Sequence, residues 1–425
     1  MWSSKAKTSK DNRTWLCFCV SVLFFPLFPA LGALGLVAVL VIVWRDNYHK
    51  IIQSPLNQAL GALTALLILN SALARYSQEA WLGLANFLPY FALFIALRLL
   101  ITKPIQLRQL AWLLTLPSLA IVILGLGQLY AAWDSPALLE NILGWELVPL
   151  GVPAGRMSSV FIYANFLAIY LAIAFTLTMG LWCLTWRQKS ARFKTPTLFL
   201  LGSILLADIT GLILTSSRNA WGLAIFSFMA YAVYFGWKWL VWAVTGAATA
   251  ILWASFVPNL GGSQLRHVVP AFIWQRLSDQ LYDRPIETLR ITQWQFCWDL
   301  IQQRPLWGWG LRNFTPLYEA KFNLWLGHPH NLFFMFGAET GIIALILLLA
   351  IIGTTMLRGA KLLASCSNDE SRLLLFSYLV TFSACIIFNL TDVTVFDLRI
   401  NAIAWILLAS ISGITSSTPR KNEIN

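Results

Sequence analysis

Charged residues are scarce in this sequence. Asp, Glu, Lys and Arg together make up 11% of its 425 residues, whereas 58% are hydrophobic and the mean hydropathy is +0.68. A soluble chain of this length would form two or three domains with far more charge on their surfaces. The composition therefore argues against soluble domains and predicts one membrane domain of the all-α class.

Several motifs that mark nucleotide or metal chemistry are also missing. The six cysteines include no CxxC pair, which argues against a disulfide framework or a zinc site. There is no Walker loop, no GxGxxG before a helix, no HExxH, no GxSxG and no DxD pair. The sequence therefore predicts no cofactor and no bound metal.

Twelve apolar runs are long enough, or nearly so, to cross a bilayer as helices, which need about 20 residues each. They lie near 14–28, 29–44, 56–74, 85–102, 109–131, 158–184, 195–215, 220–236, 239–257, 331–355, 373–391 and 394–413. These runs predict a polytopic protein with nine transmembrane helices in 1–257, a loop at 258–330, three more helices in 331–413 and a tail at 414–425.

The distribution of basic residues predicts the orientation of these helices. If the amino terminus is cytoplasmic, the short outside loops hold only Arg75, Arg156 and Arg218. The inside segments hold Lys5, Lys7, Lys10, Arg13, Arg45, Lys50, Lys103, Arg108, Arg187, Lys189, Arg192, Lys194, Lys238, Arg358, Lys361, Arg372, Arg420 and Lys421. Under the positive-inside rule both termini are cytoplasmic. The net charge of +12 is then a topology signal and does not indicate nucleic-acid binding.

The outside segment 258–330 is too long to be a passive connector. It contains six tryptophans and two amphipathic stretches, Ala271–Asp283 and Pro285–Gln303, the second of which is closed by Arg304-Pro305. We expect helices that lie along the membrane surface and close over a cavity. The polar tail after Ser416 is expected to be disordered.

Three arginines on the predicted outer side are candidate ligands for an anion. Arg218 lies where the seventh and eighth runs meet, Arg290 lies on an amphipathic stretch, and Arg156 begins the sixth run, shortly before Asn165. A guanidinium offers a fixed fork of donors that matches phosphate oxygens. Simpler interpretations are an interfacial charge for Arg218, a solvated charge for Arg290, and a bond from Asn165 to a neighbouring helix.

Two of the four histidines, His328 and His330, immediately precede the tenth run. A metal site would need further ligands at suitable spacing, and this pair around a proline does not have the helical spacing of HExxH. A neutral imidazole near pH 7 suits general-base catalysis. Glu339, nine residues after His330, is a carboxylate within the run and is costly there unless it has a role or a partner.

Asp392, Asp397 and Arg399 cluster at the turn between the last two runs. We interpret them as an Asp–Arg pair that orients the fold, with a role in the functional site as the alternative.

With these residues in order, the chain resembles the O-antigen ligase family, which is grouped with the O-antigen polymerases. The strongest similarity is the His330-Asn331 pair followed after nine residues by Gly341. The Ser217-Arg218 turn, Arg290 and the turn at 304–310 follow the order of the family, although Asn219 stands where relatives often carry glycine. The similarity extends over about 156–399.

This resemblance implies a GT-C-like helical fold in the bacterial inner membrane, with a long periplasmic loop over the active site. It implies transfer of a glycan from a polyprenyl-diphosphate carrier to a hydroxyl of a lipid or glycan acceptor, without nucleotide or metal. His330 would be the base that activates the acceptor, and Arg218 and Arg290 would bind the diphosphate. The possible supporting residues are Arg156, His328, Asn331 and Glu339.

Two other functions stay open. An O-antigen polymerase would share this architecture and take another lipid-linked glycan as the acceptor. A solute transporter, for example of inorganic carbon, would need broken helices or repeats around charges at the middle of the membrane. Here the charges gather at the predicted outer surface, which favours a glycan transferase.

Overall fold

The computed structural model describes residues 2–188, 193–278 and 285–417. In these ranges no strand occurs, and helix accounts for 79% of the chain, so the predicted all-α class is confirmed. Several sequence predictions fall outside the described residues. They concern the end of the stretch Ala271–Asp283, the basic residues Lys189, Arg192, Arg420 and Lys421, and the tail beyond Ser417.

Eighteen helices follow one another along the described chain. The first nine are α1 (Trp2–Phe24), α2 (Pro29–Gln53), α3 (Pro55–Ala72), α4 (Ser77–Gly83), α5 (Leu88–Leu100), α6 (Pro104–Tyr130), α7 (Ala137–Leu143), α8 (Ala164–Arg187) and α9 (Lys194–Leu214). The others are α10 (Arg218–Tyr234), α11 (Lys238–Phe256), α12 (Ser263–Leu265), α13 (Ala271–Leu277), α14 (Arg290–Gln303), α15 (Phe314–Phe322), α16 (Leu332–Ser365), α17 (Asp369–Asn389) and α18 (Leu398–Ser417).

Nine helical spans in the described ranges are long and apolar enough to cross a membrane: α2, the α4–α5 pair, α6, α8, α9, α11, α16, α17 and α18. The remaining three predicted runs coincide with α3, α10 and Asn12–Phe24, the apolar part of α1. The polytopic fold is therefore confirmed, while the count of twelve spans and the division at 257/258 and 330/331 stay predictions.

Local sequence explains where several helices begin. Pro29, Pro55 and Pro104 are each the first residue of a helix, where a proline loses no intrahelical hydrogen bond and its fixed φ favours the helix. Two helices start later than predicted. A 3₁₀ turn at Ser159–Phe161 precedes α8, and another at Ile286–Thr288 precedes α14.

The centre of the bundle is α8, which packs against α6, α9, α10 and α17. Residues 167–174 of α8 are fully buried. At the periphery, α11 buries only Ala254 among its apolar residues, and Trp239 and Trp242 are exposed. Such a surface suits lipid, because acyl chains are as apolar as the side chains that they contact.

Polar contacts at one end of the bundle join segments that are predicted to be cytoplasmic. Arg108 at the start of α6 forms an ion pair of 3.1 Å with Glu370 at the start of α17. The opposite end carries the described parts of 258–330 and is called the loop end below. Which end faces the cytoplasm stays a prediction.

The segment after α14 is fastened to a break in α16. Gly341 has φ 83° and ψ 166°, so the helix is interrupted there, and a side chain at this position would strike the carbonyl of Leu306. The 304–310 turn pairs with the backbone on both sides of the break. The amides of Trp309, Gly310 and Ile342 donate to the carbonyls of Ala338, Glu339 and Pro305 at 3.1, 2.8 and 2.8 Å. Backbone groups freed by the break are thus satisfied within the protein.

Candidate active site

Two imidazoles and one carboxylate meet at the loop end. His328 and His330 lie just before α16, and Asp392 lies in the loop between α17 and α18. Nδ1 of His330 is 3.4 Å from Oδ1 of Asp392, and Nε2 of His328 is 3.9 Å from the same oxygen. The Asp392 side chain is only 4% exposed, whereas the two histidine side chains are 21% and 27% exposed. One buried carboxylate oxygen therefore faces both accessible imidazoles.

The turn that carries the histidines is held from two sides. The side-chain oxygen of Asn331 caps α16 by accepting from the amides of Phe333 and Phe334, each at 3.0 Å. Its amide nitrogen donates to the carbonyl of Leu390 at 3.0 Å. On the other side, Nε1 of Trp294 on α14 donates to the carbonyl of Pro329 at 3.0 Å. His330 itself has a φ of +51°, an uncommon conformation that is often found where the surroundings fix a functional residue.

The second oxygen of Asp392 is bound to a polar chain that runs into α8 and α9. Nδ2 of Asn165 donates to Oδ2 of Asp392 at 2.7 Å, and Nη2 of Arg156 donates to Oδ1 of Asn165 at 2.7 Å. Nε of Arg156 donates to the carbonyl of Thr215 at 2.7 Å. Arg156, Asn165 and Asp392 are called the Asp392 network below. Asn165 thus bonds a neighbouring segment, as its simpler interpretation predicted, and it also contacts a residue beside His330.

The predicted acidic cluster at 392–399 divides into two parts. Nη2 of Arg399 lies 3.4 Å from Oδ2 of Asp397, and its Nη1 donates to the carbonyl of Val160 at 2.7 Å. The Asp–Arg pair is therefore confirmed. Asp392 is not part of this pair, and its carboxylate faces the histidines instead. The available signal was its position at a turn predicted to lie on the same side as His330.

Arg218 and Arg290 are each the first residue of a helix whose first turn lies near this cluster. Next to Arg218, Nδ2 of Asn219 approaches the carbonyl of Thr391 at 3.4 Å. Arg290 is one helical turn before Trp294, which contacts Pro329, and its charge acts on His328. Helix N-termini attract anions, so each arginine adds a full charge to a region that is already electropositive.

Electrostatics set different charge states on the groups of the cluster. Burial, together with His330 and Arg290, lowers the pKa of His328 to about 4, although Asp392 opposes this change. Burial alone would raise the pKa of Asp392, but its contacts with His330, His328 and the amide of Val393 hold that pKa below the ordinary value. At pH 7 a neutral His328 therefore lies beside an ionised Asp392.

Glu339 lies nine residues along α16 from His330. It is buried, and Oε1 accepts from the amide of Phe314 at 3.1 Å. This amide belongs to the first residue of α15, so the carboxylate fastens α15 to α16. A buried carboxylate needs a polar partner, and here that partner is the N-terminus of α15. The structure does not bring Glu339 to the imidazoles.

Residues 201–349 match the model of the O-antigen ligase family. This segment is therefore similar to the O-antigen ligase family. The match includes Arg218, Arg290 and the His330-Asn331 pair, whereas Arg156, Asn165 and Asp392 lie outside it. The resemblance inferred from the sequence is thereby confirmed in its central part.

Two further comparisons add little to this assignment. A chain from a peptidoglycan synthase complex that coordinates polymerization and crosslinking is 16% identical, with 91% of this chain and 95% of that chain covered and a TM-score of 0.35. At this level the similarity carries no argument about function. A search of the curated proteins found no match.

Members of the O-antigen ligase family are membrane glycosyltransferase-like ligases and polymerases. That family acts on lipid-linked glycans in contact with membrane lipids. The match to its model and the apolar helices together indicate a multi-pass bacterial membrane protein.

The matched segment also supplies two of the three side chains that could together hold a metal ion. One ligand atom from each of His328, His330 and Asp392 lies within 4.8 Å of the others. Asp392 supplies the third ligand that the sequence spacing did not reveal. The expectation of a metal-independent protein stays a prediction.

Proposed function

We propose that this protein transfers a glycan from a polyprenyl-diphosphate carrier to a hydroxyl of a lipid or glycan acceptor, with His330 as the general base. The observation that carries the proposal is the 3.4 Å approach of Nδ1 of His330 to Oδ1 of Asp392. When the Nδ1–H group donates a hydrogen bond to this ionised carboxylate, the neutral ring has no proton on Nε2. That nitrogen accepts the proton of the acceptor hydroxyl.

The reaction is a displacement at the anomeric carbon. The acceptor oxygen forms the new bond to this carbon while the bond between the carbon and the diphosphate oxygen breaks, and the electron pair leaves with the polyprenyl diphosphate. The acceptor proton passes to His330, and Asp392 stabilises the imidazolium that forms. Arg218 and Arg290 neutralise the growing charge of the leaving group, the task that a metal ion performs in other transferases.

The Asp392 network serves as positioning machinery in this proposal. Arg156 and Asn165 hold one carboxylate oxygen so that the other keeps its orientation toward His330. Asn331 fixes the histidine turn against Leu390. His328 contacts the backbone amide of His330 through Nδ1 at 3.2 Å and shapes the same turn.

An O-antigen polymerase would use the same groups with a second lipid-linked glycan as the acceptor. The products distinguish the two activities, since a ligase releases the carrier from a finished glycan and a polymerase returns a longer lipid-linked glycan. The transporter hypothesis predicts solute uptake and no glycan transfer.

The test is transfer in proteoliposomes from an undecaprenyl-diphosphate glycan to lipid and glycan acceptors, with and without a chelator. Wild type, His330→Ala and Arg290→Ala are compared. Transfer by wild type that survives the chelator and is lost in both variants supports the proposal. If the chelator alone abolishes transfer, the proposal would have to replace His330 as a free base with a metal centre. If no acceptor gives transfer and labelled bicarbonate is taken up, a transporter function would replace the proposed transferase function.

A further inference from the structure

A cavity of about 600 Å³ opens beside His328. Its walls come from the α4 region, from α15 and its N-terminal approach, and from the loops at 323–331 and 390–397. No lining residue belongs to α8, α10 or α14, the helices that carry Asn165, Arg218 and Arg290. Its volume lies within the range of ligand pockets, about 300–1,000 Å³. The cavity is therefore large enough for a ligand, and it shares only the 390–397 loop with the Asp392 network.

The charges in this cavity do not suit a diphosphate. Its walls carry two carboxylates, Glu79 and Glu319, and one guanidinium, Arg312. Arg312 is itself paired with Glu79 at 3.3 Å. The sum is one net negative charge, which repels phosphate. Carboxylates do accept hydrogen bonds from hydroxyl groups, so a neutral polyhydroxylated ligand fits this wall.

Aromatic and apolar groups complete the walls. Trp325 lines the cavity and is 69% exposed, so its indole is available for contact. Phe396 stacks on His328 with ring centroids 6.0 Å apart. An indole face can pack against the C–H face of a sugar ring while nearby polar groups bind its hydroxyls. The combination of an accessible tryptophan and flanking carboxylates is suited to carbohydrate.

Hydrogen bonds fix the backbone around the cavity. Oγ1 of Thr315 on α15 donates to the carbonyl of Gly327, beside His328, at 3.0 Å. Nδ2 of Asn401 on α18 donates to the carbonyl of Asn86 at 2.8 Å. The walls are thus joined to the bundle and to the histidine turn before any ligand binds.

We propose that this cavity binds the terminal sugar of the acceptor and presents its hydroxyl to His330. The inference rests on the proposed transferase function and adds the location of the acceptor. In a displacement, the attacking and leaving oxygens lie on opposite sides of the reacting carbon. The arginines are suited to the leaving diphosphate, and the carboxylate-lined cavity lies beside the histidine turn without any wall from the two helices that carry Arg218 and Arg290. The ring of His328, which lines the cavity, is 4.5 Å from the ring of His330.

The first test is steady-state kinetics in proteoliposomes, with core lipopolysaccharide that lacks O-antigen as the acceptor. The variants are Trp325→Ala and Glu319→Gln, with Trp298→Ala as a matched control, because Trp298 is 51% exposed and does not line the cavity. We expect Trp325→Ala to raise the acceptor KM about tenfold, which corresponds to about 1.4 kcal/mol of lost contact. The donor KM and the rates of the control should not change. Equal acceptor KM values for Trp325→Ala and Trp298→Ala would overturn the assignment.

A binding experiment separates failure of this inference from failure of the proposed function. Tritiated oligosaccharide released from core lipopolysaccharide is titrated onto the His330→Ala protein, with and without Trp325→Ala. Binding that weakens only with Trp325→Ala supports the cavity even when wild type shows no transfer. If wild type transfers glycan but Trp325→Ala does not change oligosaccharide binding, the cavity is rejected as the acceptor site and the proposed transferase function stands. No binding to the His330→Ala protein also rejects the cavity.

Discussion

The two sides of the histidine turn are built in contrasting ways. In the Asp392 network, Asp392 is buried, Arg156 and Asn165 are half-buried, and hydrogen bonds of 2.7 Å connect them. The cavity beside His328 is bordered by the Arg312–Glu79 pair, whose side chains are 42% and 43% exposed, and by an exposed Trp325. Exposed ion pairs contribute little stability, whereas buried networks hold one geometry. The contrast suggests that chemistry depends on the network and that the choice of acceptor depends on the cavity.

The largest expected effect of a substitution on the network side is that of His330→Ala. Removal of a general base should lower kcat by about 10²–10⁴-fold, with a smaller change in the acceptor KM. The measurement is the initial rate of transfer in proteoliposomes. His49→Ala is the control, because His49 is exposed at the end of α2. Full activity of His330→Ala would show that His330 is not the general base.

Arg218→Lys tests whether the donor side needs a guanidinium. Lysine keeps the charge but cannot offer two parallel donors to a phosphate, so we expect kcat to fall about 10²-fold. Arg75→Lys is the control, because Arg75 is also predicted to lie on the outer side and its guanidinium lies over the ring of Tyr76, 5.9 Å from the centroid. A silent Arg218→Lys variant would mean that charge alone suffices.

Asp392→Asn tests the contribution of the Asp392 network separately from that of His330, the base that the network orients. The variant keeps the size of the side chain and loses the charge, so the protonated form of His330 has no ionised partner. We expect kcat to fall about tenfold or more, within the contribution of general-base catalysis. The measurement is the pH–rate profile of transfer. If kcat and the pH–rate profile are both unchanged, the Asp392 carboxylate has only a structural role.

Asn165→Leu should reproduce part of this effect, since it removes the donor to Oδ2 of Asp392. A variant that lowers the yield of folded protein but not kcat would place Asn165 in folding alone.

The smallest expected effect on activity is that of His328→Gln, because His328 touches the turn but transfers no proton in the proposal. We expect kcat to change only a few-fold, with the acid limb of the profile unchanged. Stability gives a second measurement. The folded-state pKa of about 4 lies below the ordinary value of 6.5, so the unfolded chain takes up the proton first. The folded state therefore loses stability as the pH falls from about 6.5 to 4. Thermal unfolding of His328→Gln should show less of this loss than wild type.

Hydropathy predicted the helices well, because a bilayer-spanning run is a local property of the sequence. Each of the twelve predicted runs lies on a helix, and the paired Asp397 and Arg399 are only two residues apart. Helix starts were less predictable. The chain before α8 and before α14 is apolar or amphipathic enough for a helix, yet it forms 3₁₀ turns at Ser159–Phe161 and Ile286–Thr288.

Contacts between distant segments account for the part of the site that the sequence did not reveal. Asp392 is 62 residues from His330 and 227 from Asn165, and only the packing of α8, α16 and α17 brings them together. The partner of Glu339 is a backbone amide at Phe314, which has no side-chain signature at all. His330, Arg218 and Arg290 were predictable because a family motif marks them in the sequence.

The break at Gly341 gives α16 two mechanically separate parts. The nine residues before it are joined to the 304–310 turn by backbone hydrogen bonds, while the part after it continues across the bundle as a membrane helix. The short part begins next to His330, so it links the histidine to the segment after α14 more directly than to the membrane half of its own helix. A swing of that segment to admit a bulky lipid-linked glycan would therefore carry the base along with it.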